Sequence, residues 1–286
     1  MIVFFETGRL GNQLFQYAAM KALFPNDRLV FFGCAELKQA LAKVDAIILE
    51  KGKLPRLLMF GLRVLLPALA RLRIIGSIYE IRVNTSYKIT AKRGFLNPLF
   101  LLHPSYFQHK RIFELFPAFE LSRELVQVAS DWLEKTTQVK PNALACRVSL
   151  VFVHIRRGDY LHWPSRELPA VLDKGWYSRA MDNIRSIVPN PMFVVITDDF
   201  YYAKDVFGNE PDIIISRNDQ FVDLALMSQC SHGILSASSF AWWGAWLSRQ
   251  NTRESGVYLA PKCWAGHRSG EWYPKGFVTD WITYVE

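Results

Sequence analysis

The chain has 286 residues and a formal net charge of +8 at pH 7, and half of its residues are hydrophobic. This composition is that of a folded globular protein, and it excludes an intrinsically disordered one. The length suits one large domain or two small ones. The positive charge favours an anionic partner. The sequence contains no long Lys/Arg run, zinc-finger spacing or RNA-binding motif, so we expect no nucleic-acid partner.

The sequence offers no targeting or membrane-spanning segment. Residues 1–5 are apolar but Glu6 follows them, so no signal peptide is predicted. The longest apolar stretch, 57–70, is interrupted by Arg63 and Pro67 and is too short to cross a bilayer. We therefore expect a cytoplasmic protein, either free or peripheral on the inner face of the plasma membrane. Widely spaced cysteines without metal-ligand spacing are typical of a reducing compartment: Cys34, Cys146, Cys230 and Cys263.

Hydrophobic periodicity predicts alternating strands and helices along the chain. In the first half, the predicted elements are strands at 2–5, 28–32 and 46–49, a helix over 13–24, a basic apolar segment at 53–75 and a helix over 122–136. In the second half, they are strands near 149–154, 193–196, 212–215, 233–235 and 257–259, and helices from 176, over 200–207, after Asp219 and over 238–249.

Alternation of this kind predicts an α/β fold with parallel, doubly wound sheets. A polar linker is predicted over 136–148. We therefore expect two Rossmann-like domains, 1–140 and 141–286, joined near residue 140 with a cleft between them.

The most informative cluster follows the strand near 149–154, where an apolar run turns into His154, Arg156, Arg157 and Asp159. Ligands of open parallel sheets bind where the strands end. Two adjacent guanidinium groups are costly to hold there without a partner, and their planar geometry matches phosphate. The cluster predicts an anionic, phosphorylated substrate. An alternative is that Arg157 and Asp159 form a pair that braces the loop.

A second cluster, Gly8 to Gln13, joins the first strand to the first helix. Glycines allow close backbone approach, and a helix starting at Gln13 would offer free N–H groups to an anion. Gly8 and Gly11 alone are weak indicators, because many strand–helix turns carry glycine. The amide of Asn12 is not needed by a turn, and it suits a phosphate or sugar oxygen.

Two aspartates, Asp198 and Asp199, follow the strand at 193–196. They are typical of a Mg²⁺ or Mn²⁺ site, of hydrogen bonding to the edge of guanine, or of a helix cap. We expect one of them to be a cap. Since Arg156 can already neutralise phosphate, base recognition is favoured over a metal.

A third cluster, residues 236–240, follows the strand at 233–235 and opens a helix. Small hydroxyl residues there predict a cap, and the same geometry binds anions. The tryptophans of this helix have the spacing of core residues, although one of them has room to face the cleft: Trp242, Trp243 and Trp246.

At this point the sequence resembles a known family. GRLGNQLFQYAA at 8–19, HIRRGDY at 154–160, TDD at 197–199 and SSFAWWGAWL at 238–247 are similar to motifs of bacterial α-1,2-fucosyltransferases. That family belongs to a superfamily with the α-1,6- and protein O-fucosyltransferases. The resemblance implies a GT-B fold and an inverting transfer of L-fucose from GDP-β-L-fucose, with the 2-OH of a galactoside as the expected acceptor. It implies no metal or other cofactor.

The same resemblance implies roles for individual residues. Arg156 would contact the β-phosphate, His154 the nucleoside and Asp199 the guanine, while Asn12 would reach a diphosphate or acceptor oxygen. Candidate catalytic residues are therefore Arg156, Asn12 and Asp159. Candidate residues for binding GDP-fucose are Gly8, Gly11, His154, Arg157, Asp198, Asp199, Ser238, Ser239 and Phe240.

The catalytic base is not identified by the sequence. Asp159, His162, Glu167 and Glu6 are all candidates. Two other functions stay open: transfer from a different nucleotide sugar with a metal at the aspartates, and non-catalytic binding of glycans or membranes.

The segment 53–75 has two interpretations of its own. Arg63, Arg71 and Arg73 can form the solvated face of a helix whose leucines pack on the core. They can also dock the protein on an anionic membrane that carries a lipid-linked acceptor.

Overall fold

The computed structural model describes residues 1–50, 52, 55–83, 86–137, 148–252 and 255–286. The chain divides into two compact units, Met1–Glu120 and Leu121–Glu286. Most of the predicted linker and Cys146 lie outside the described residues.

The first unit is built on a six-stranded sheet with the order β3-β2-β1-β6-β4-β5 in the part of the chain described. All of its described pairings are parallel except that of β4 with β5. Its elements are β1 (Ile2–Phe5), α1 (Leu10–Leu23), β2 (Leu29–Phe32), α2 (Ala35–Ala40), β3 (Ile47–Leu49), α3 (Arg56–Arg71), β4 (Gly76–Val83), β5 (Ser86–Lys92), β6 (Phe100–Leu102) and α4 (Lys110–Phe113).

The strands predicted at 2–5, 28–32 and 46–49 are confirmed as β1, β2 and β3. Strands β4 to β6 were not predicted. The antiparallel β4–β5 hairpin forms one edge of the sheet, so the first unit is mixed rather than wholly parallel. Antiparallel strands need only a short connection, whereas parallel neighbours need a crossover.

The second unit has a six-stranded sheet in which every described pairing is parallel, in the order β12-β11-β10-β7-β8-β9. Its elements are α5 (Arg123–Thr137), β7 (Ser149–Ile155), a short 3₁₀ helix (Gly158–Leu161), α6 (Lys174–Ile187), β8 (Pro191–Thr197), α7 (Phe200–Phe207), β9 (Ile213–Ile215), α8 (Gln220–Gln229), β10 (His232–Ile234), α9 (Ser239–Asn251), β11 (Tyr258–Pro261) and β12 (Thr283–Val285).

The core of the second unit follows from the alternation of side chains along β7. Val151, Val153 and Ile155 are fully buried and belong to one cluster with Trp176 and Tyr177 of α6. Every second residue of a strand points to the same face, so these three side chains meet the helix together. The central strand is apolar on both faces, as expected when helices cover both sides of a parallel sheet. The predicted doubly wound α/β fold is confirmed for this unit.

Helix α5 explains why the two units divide at Glu120 rather than near residue 140. It packs against α8, and the two helices exchange side-chain hydrogen bonds. Ser130 Oγ donates to Gln229 Oε1 at 2.8 Å, and Gln229 Nε2 donates to the Val126 carbonyl at 3.0 Å. The helix therefore belongs to the second unit, although it precedes the predicted linker.

Cys34, Cys230 and Cys263 are free and buried. Within the described ranges, no helix has the length and apolar character needed to cross a bilayer.

Candidate active site

Three of the predicted clusters meet at one edge of the second sheet. Strands β10, β7 and β8 are adjacent and parallel, so their carboxyl ends lie side by side. Arg156 follows β7, Asp198 follows β8, and Ser236 follows β10 two residues after its last strand residue. This edge is where open parallel sheets bind ligands, because strand ends and helix starts converge there.

Arg156 is held by two carboxylates. Its Nη1 lies 3.0 Å from Asp198 Oδ2, and its Nη2 donates to Asp159 Oδ1. The guanidinium carbon also lies 5.5 Å from the centre of the Tyr160 ring. The alternative interpretation, in which Arg157 and Asp159 pair to brace the loop, is wrong, because Asp159 pairs with Arg156 instead. The two carboxylates fix the orientation of the guanidinium. Because a guanidinium has five N–H donors, some of them remain to bind an anion.

Arg157 makes a separate set of contacts. Its Nε donates to Asp199 Oδ2 at 3.1 Å, and its guanidinium carbon lies 3.7 Å from the centre of the Tyr202 ring. Its backbone N–H donates to Asp198 Oδ1 at 2.8 Å. Asp198 therefore joins the two arginines. Tyr202 was not predicted; its place one turn after Asp199 in α7 was the only sequence signal for it.

The expectation that one of the two aspartates is a cap is confirmed. Asp199 Oδ1 accepts a hydrogen bond from Tyr202 N at 3.1 Å, which caps α7. Both aspartates also contact an arginine. In the residues the structure describes, no group of three or more His, Cys, Asp or Glu side chains has the arrangement of a metal site.

His154 is almost completely buried beneath the loop that follows β10. Its Nδ1 lies 2.7 Å from Ser236 Oγ, and its ring centre lies 5.7 Å from that of Phe240. Burial, together with the nearby positive charge of Arg156, lowers the pKa of His154 to about 3. The imidazole is therefore neutral at physiological pH, and it joins the end of β7 to the end of β10.

The Ser236–Phe240 turn has the predicted cap. Ser238 Oγ accepts from Phe240 N at 3.3 Å at the start of α9. Tyr160, from the arginine loop, donates its hydroxyl to the Ala237 carbonyl at 2.9 Å. Ser239 is the first residue of the helix. The three tryptophans of α9 are core residues, each at most 9% exposed: Trp242, Trp243 and Trp246.

The glycine motif lies in the first unit, at the end of β1. Gly8 has φ of +83°, a conformation that favours glycine, and a Cβ there would lie 2.4 Å from Asn12 Nδ2. Asn12 Oδ1 accepts from Gln108 Nε2 at 2.9 Å. The predicted helix start at Gln13 is wrong, because α1 begins at Leu10. The N–H groups of Asn12 and Gln13 already donate to the Arg9 carbonyl. Gly11 is buried within the first turn.

The other candidate bases differ in their surroundings. His162 and Glu167 are exposed. Glu6, at the end of β1, accepts a hydrogen bond from the Cys34 backbone N–H.

One buried carboxyl was not predicted: Asp223, in the first turn of α8. Asp223 is 7% exposed and accepts from Ser216 Oγ at 2.6 Å. Burial raises its pKa to about 7, against the opposing effect of the Ser216 hydrogen bond. Ser216 also accepts from the Asn218 backbone N–H, so Asp223 organises the turn between β9 and α8.

This shift predicts how stability depends on pH. The folded state keeps the Asp223 proton up to about pH 7, whereas the unfolded chain releases it near its ordinary pKa. Stability must therefore fall as the pH rises through that window. Relative to Asp223→Asn, we expect the wild type to lose on the order of 4 kcal/mol of unfolding free energy between pH 4 and pH 8. Urea unfolding of both proteins across that range measures the difference, and parallel profiles would contradict the prediction.

Comparison with known protein families gives a match over nearly the whole chain. The model of glycosyl transferase family 11 matches residues 3–284. The O-antigen biosynthesis glycosyltransferase WbnK of Escherichia coli is 27% identical, over 90% of this chain and 93% of that protein. An α-1,2-colitosyltransferase of Escherichia coli is 33% identical, over 40% of each chain. Galactoside α-(1,2)-fucosyltransferase 2 of Rattus norvegicus is 26% identical, over 88% of this chain and 67% of that protein.

Solved structures share the fold. POFUT1 in complex with GDP has a TM-score of 0.52 at 12% identity, and the alignment covers 90% of this chain and 97% of that one. POFUT1 in complex with GDP-fucose has a TM-score of 0.51 at 13% identity with the same coverage. At this level of identity the likeness shows a shared fold, and the expected GT-B-like α/β class is confirmed. The match over nearly the whole sequence settles the family: the chain belongs to glycosyl transferase family 11.

Proposed function

We propose that this glycosyltransferase moves L-fucose from GDP-β-L-fucose to the 2-OH of a galactoside, with inversion to an α-1,2-fucoside. The observation that carries the proposal is Arg156, fixed by Asp198 and Asp159 at the carboxyl end of the central strand of a parallel sheet. We further propose that the second unit binds the nucleotide sugar and that the first unit contributes the acceptor side.

The difficult step is cleavage of the bond between fucose C1 and the β-phosphate oxygen. As this bond lengthens, its electron pair moves onto the departing GDP, and C1 gains oxocarbenium character. A guanidinium placed beside that oxygen stabilises the transition state more than the ground state, because the negative charge is larger there. The two ion pairs hold Arg156 in one orientation before substrate arrives, so little reorganisation is needed.

The remaining residues of the edge suit a guanosine diphosphate. Asp199 Oδ2 accepts from Arg157 Nε and Asp199 Oδ1 accepts from the Tyr202 N–H, and each carboxylate oxygen has a further lone pair for the N–H groups of guanine. Ser238, Ser239 and Phe240 stand at the start of α9, where N–H groups favour phosphate. We propose that His154 holds the turn at Ser236 in place, next to the nucleoside, through its hydrogen bond with the Ser236 hydroxyl.

The acceptor oxygen attacks C1 from the face opposite to GDP and loses its proton to a base. Asp159 is ion-paired with Arg156, so we assign it to positioning that arginine. For Asn12 we keep the role that the family resemblance implies, which is contact with an oxygen of the diphosphate or of the acceptor.

The names of two relatives support the linkage, and one of the two supports the donor. A galactoside α-(1,2)-fucosyltransferase and an α-1,2-colitosyltransferase are both similar to this chain, so the α-1,2 linkage is common to the two names. The similarity to the colitosyltransferase makes activated colitose the alternative donor.

Product analysis tests the proposal. The protein is incubated with GDP-fucose, GDP-mannose or activated colitose and a panel of galactosides, and the products are identified by mass spectrometry and NMR. The proposal requires an α-1,2-fucoside from GDP-fucose; transfer of colitose alone would replace the donor, and no transfer with any donor would reject the assignment.

We also propose that transfer needs no metal, because both aspartates of the edge already contact guanidinium groups. Activity is therefore expected to be unchanged by millimolar EDTA. Assays with and without added Mg²⁺ or Mn²⁺ provide the check, and loss in EDTA that either ion restores would contradict it.

A further inference from the structure

The first unit contains a pocket whose lining is rich in positive charge. It measures about 440 Å³ and lies between the end of α3, strand β4 and the end of β5. Four cationic side chains line it, and none of its lining residues is acidic: Arg71, Arg73, Lys92 and Arg93. All four residues are exposed, and four like charges around one space attract an anion from solution. The lining therefore points to an anionic ligand.

Neutral hydrogen-bonding groups complete the lining. His103 and Tyr79 stack with ring centres 4.1 Å apart, and the Lys92 ammonium lies 5.8 Å from the centre of the Tyr79 ring. His103 Nε2 is buried and has no hydrogen-bond partner within the described structure. Burial lowers the pKa of His103, so the ring is neutral and Nε2 can carry the proton for a ligand oxygen. Ser77, also buried, adds a hydroxyl.

An exposed apolar surface borders this pocket. One side of α3 packs on the core through Met59, and partly through Leu62, Leu66 and Leu69. The opposite side presents large apolar side chains to solvent. They are 48 to 87% exposed: Leu57, Leu58, Phe60, Val64 and Leu65. The interpretation of 53–75 as leucines packed on the core therefore accounts for only one side of the helix.

The apolar surface continues beyond the helix. Leu72 is 70% exposed and Phe95 is 89% exposed. The Phe95 N–H donates to the carbonyl of Arg73, which ties this loop to the end of α3. Phe60, Pro67 and Arg71 follow each other at spacings of seven and four residues, so they run along one side of the helix from the apolar surface to the pocket.

The distribution of charge along the sequence indicates what kind of partner binds this surface. From Lys51 to Phe113 the sequence has twelve Lys or Arg and one acidic residue, Glu80, whereas the whole chain has a net charge of +8. The positive charge is therefore concentrated on the part of the chain that carries the exposed apolar surface. A large apolar surface flanked by Lys and Arg is typical of proteins that lie on anionic bilayers.

We propose that the cationic pocket binds the phosphate headgroup of an anionic lipid, whose acyl chains contact the exposed side of α3 and Phe95. The protein would then lie on an anionic membrane through its first unit. This inference does not depend on the sugar donor, because it concerns only the lipid contact.

The test is co-sedimentation of the full chain with vesicles of phosphatidylcholine, with and without about one quarter phosphatidylglycerol. Binding is expected only with the anionic lipid and is expected to weaken in about half-molar NaCl. The pocket variant is Arg71→Gln with Arg73→Gly, and it should lower the partition coefficient about tenfold. Arg73 has φ of +58°, so glycine relieves the backbone there and the variant is not expected to unfold.

Two further variants complete the design. Leu57→Ser with Phe60→Ser removes exposed apolar area and should weaken vesicle binding without altering the melting temperature. Arg123→Gln with Lys135→Gln removes the same charge from exposed positions of α5 and should leave binding unchanged. If the pocket variant and the α5 variant lose vesicle binding equally, the proposed lipid site is wrong, because binding would then depend only on net charge. Binding of inorganic pyrophosphate in a calorimeter, with no binding to vesicles, would overturn the lipid as its ligand.

Discussion

Replacing Arg156 with alanine is expected to lower kcat for fucose transfer at least about 100-fold, with a smaller change in KM for GDP-fucose. The guanidinium meets the charge that develops on the β-phosphate oxygen, so its contribution is larger in the transition state than in the bound ground state. Arg156→Lys is expected to be impaired as well. It keeps the charge, but an ammonium cannot hold Asp198 and Asp159 and still present a planar fork to phosphate.

Steady-state kinetics measure both variants, and thermal melts show whether they are folded. Arg179→Ala is the matched control, because Arg179 is an arginine of α6 outside the site. Near-normal kcat in Arg156→Ala would remove Arg156 from the chemical step. A large loss in the control would show that activity depends on charge in general.

The second large effect is expected from Gly158→Ala. A Cβ at Gly158 would lie 2.6 Å from Asp198 Oδ2, so the carboxylate must move. That carboxylate pairs with the Arg156 guanidinium and accepts from the Arg157 N–H, so its displacement releases both. We expect kcat to fall about tenfold or more, because a small misplacement of a catalytic group is costly. The unfolding free energy should change little, since only the end of a side chain is displaced.

Gly61→Ala provides the comparison for this variant. A Cβ at Gly61 meets nothing within 4 Å in α3, so the protein should keep its activity and gain up to about 1 kcal/mol of stability. Unchanged kcat in Gly158→Ala would show that the position of Asp198 does not matter for turnover. If Gly158→Ala unfolds, Gly158 is needed for stability rather than for the position of Asp198.

The carboxyl edge of the second unit was predictable from local sequence. An apolar run that ends in polar residues marks the end of a strand, and parallel strands end at a common edge. His154, Asp198 and Ser236 could therefore be assigned to one site from the strand pattern alone. The caps at Asp199 and Ser238 were predictable for a similar reason, because a cap depends on neighbouring residues only.

The sequence by itself therefore determined which residues reach the site, since strand periodicity and caps act over a few residues. The tertiary structure decided how they pair. Asp159 and Asp198 both pair with Arg156, whereas Arg157, after β7, pairs with Asp199, after the neighbouring strand β8. It also decided that α5 joins the second unit and that one side of α3 stays exposed. These outcomes depend on contacts between segments far apart in the chain, whose geometry no local pattern encodes.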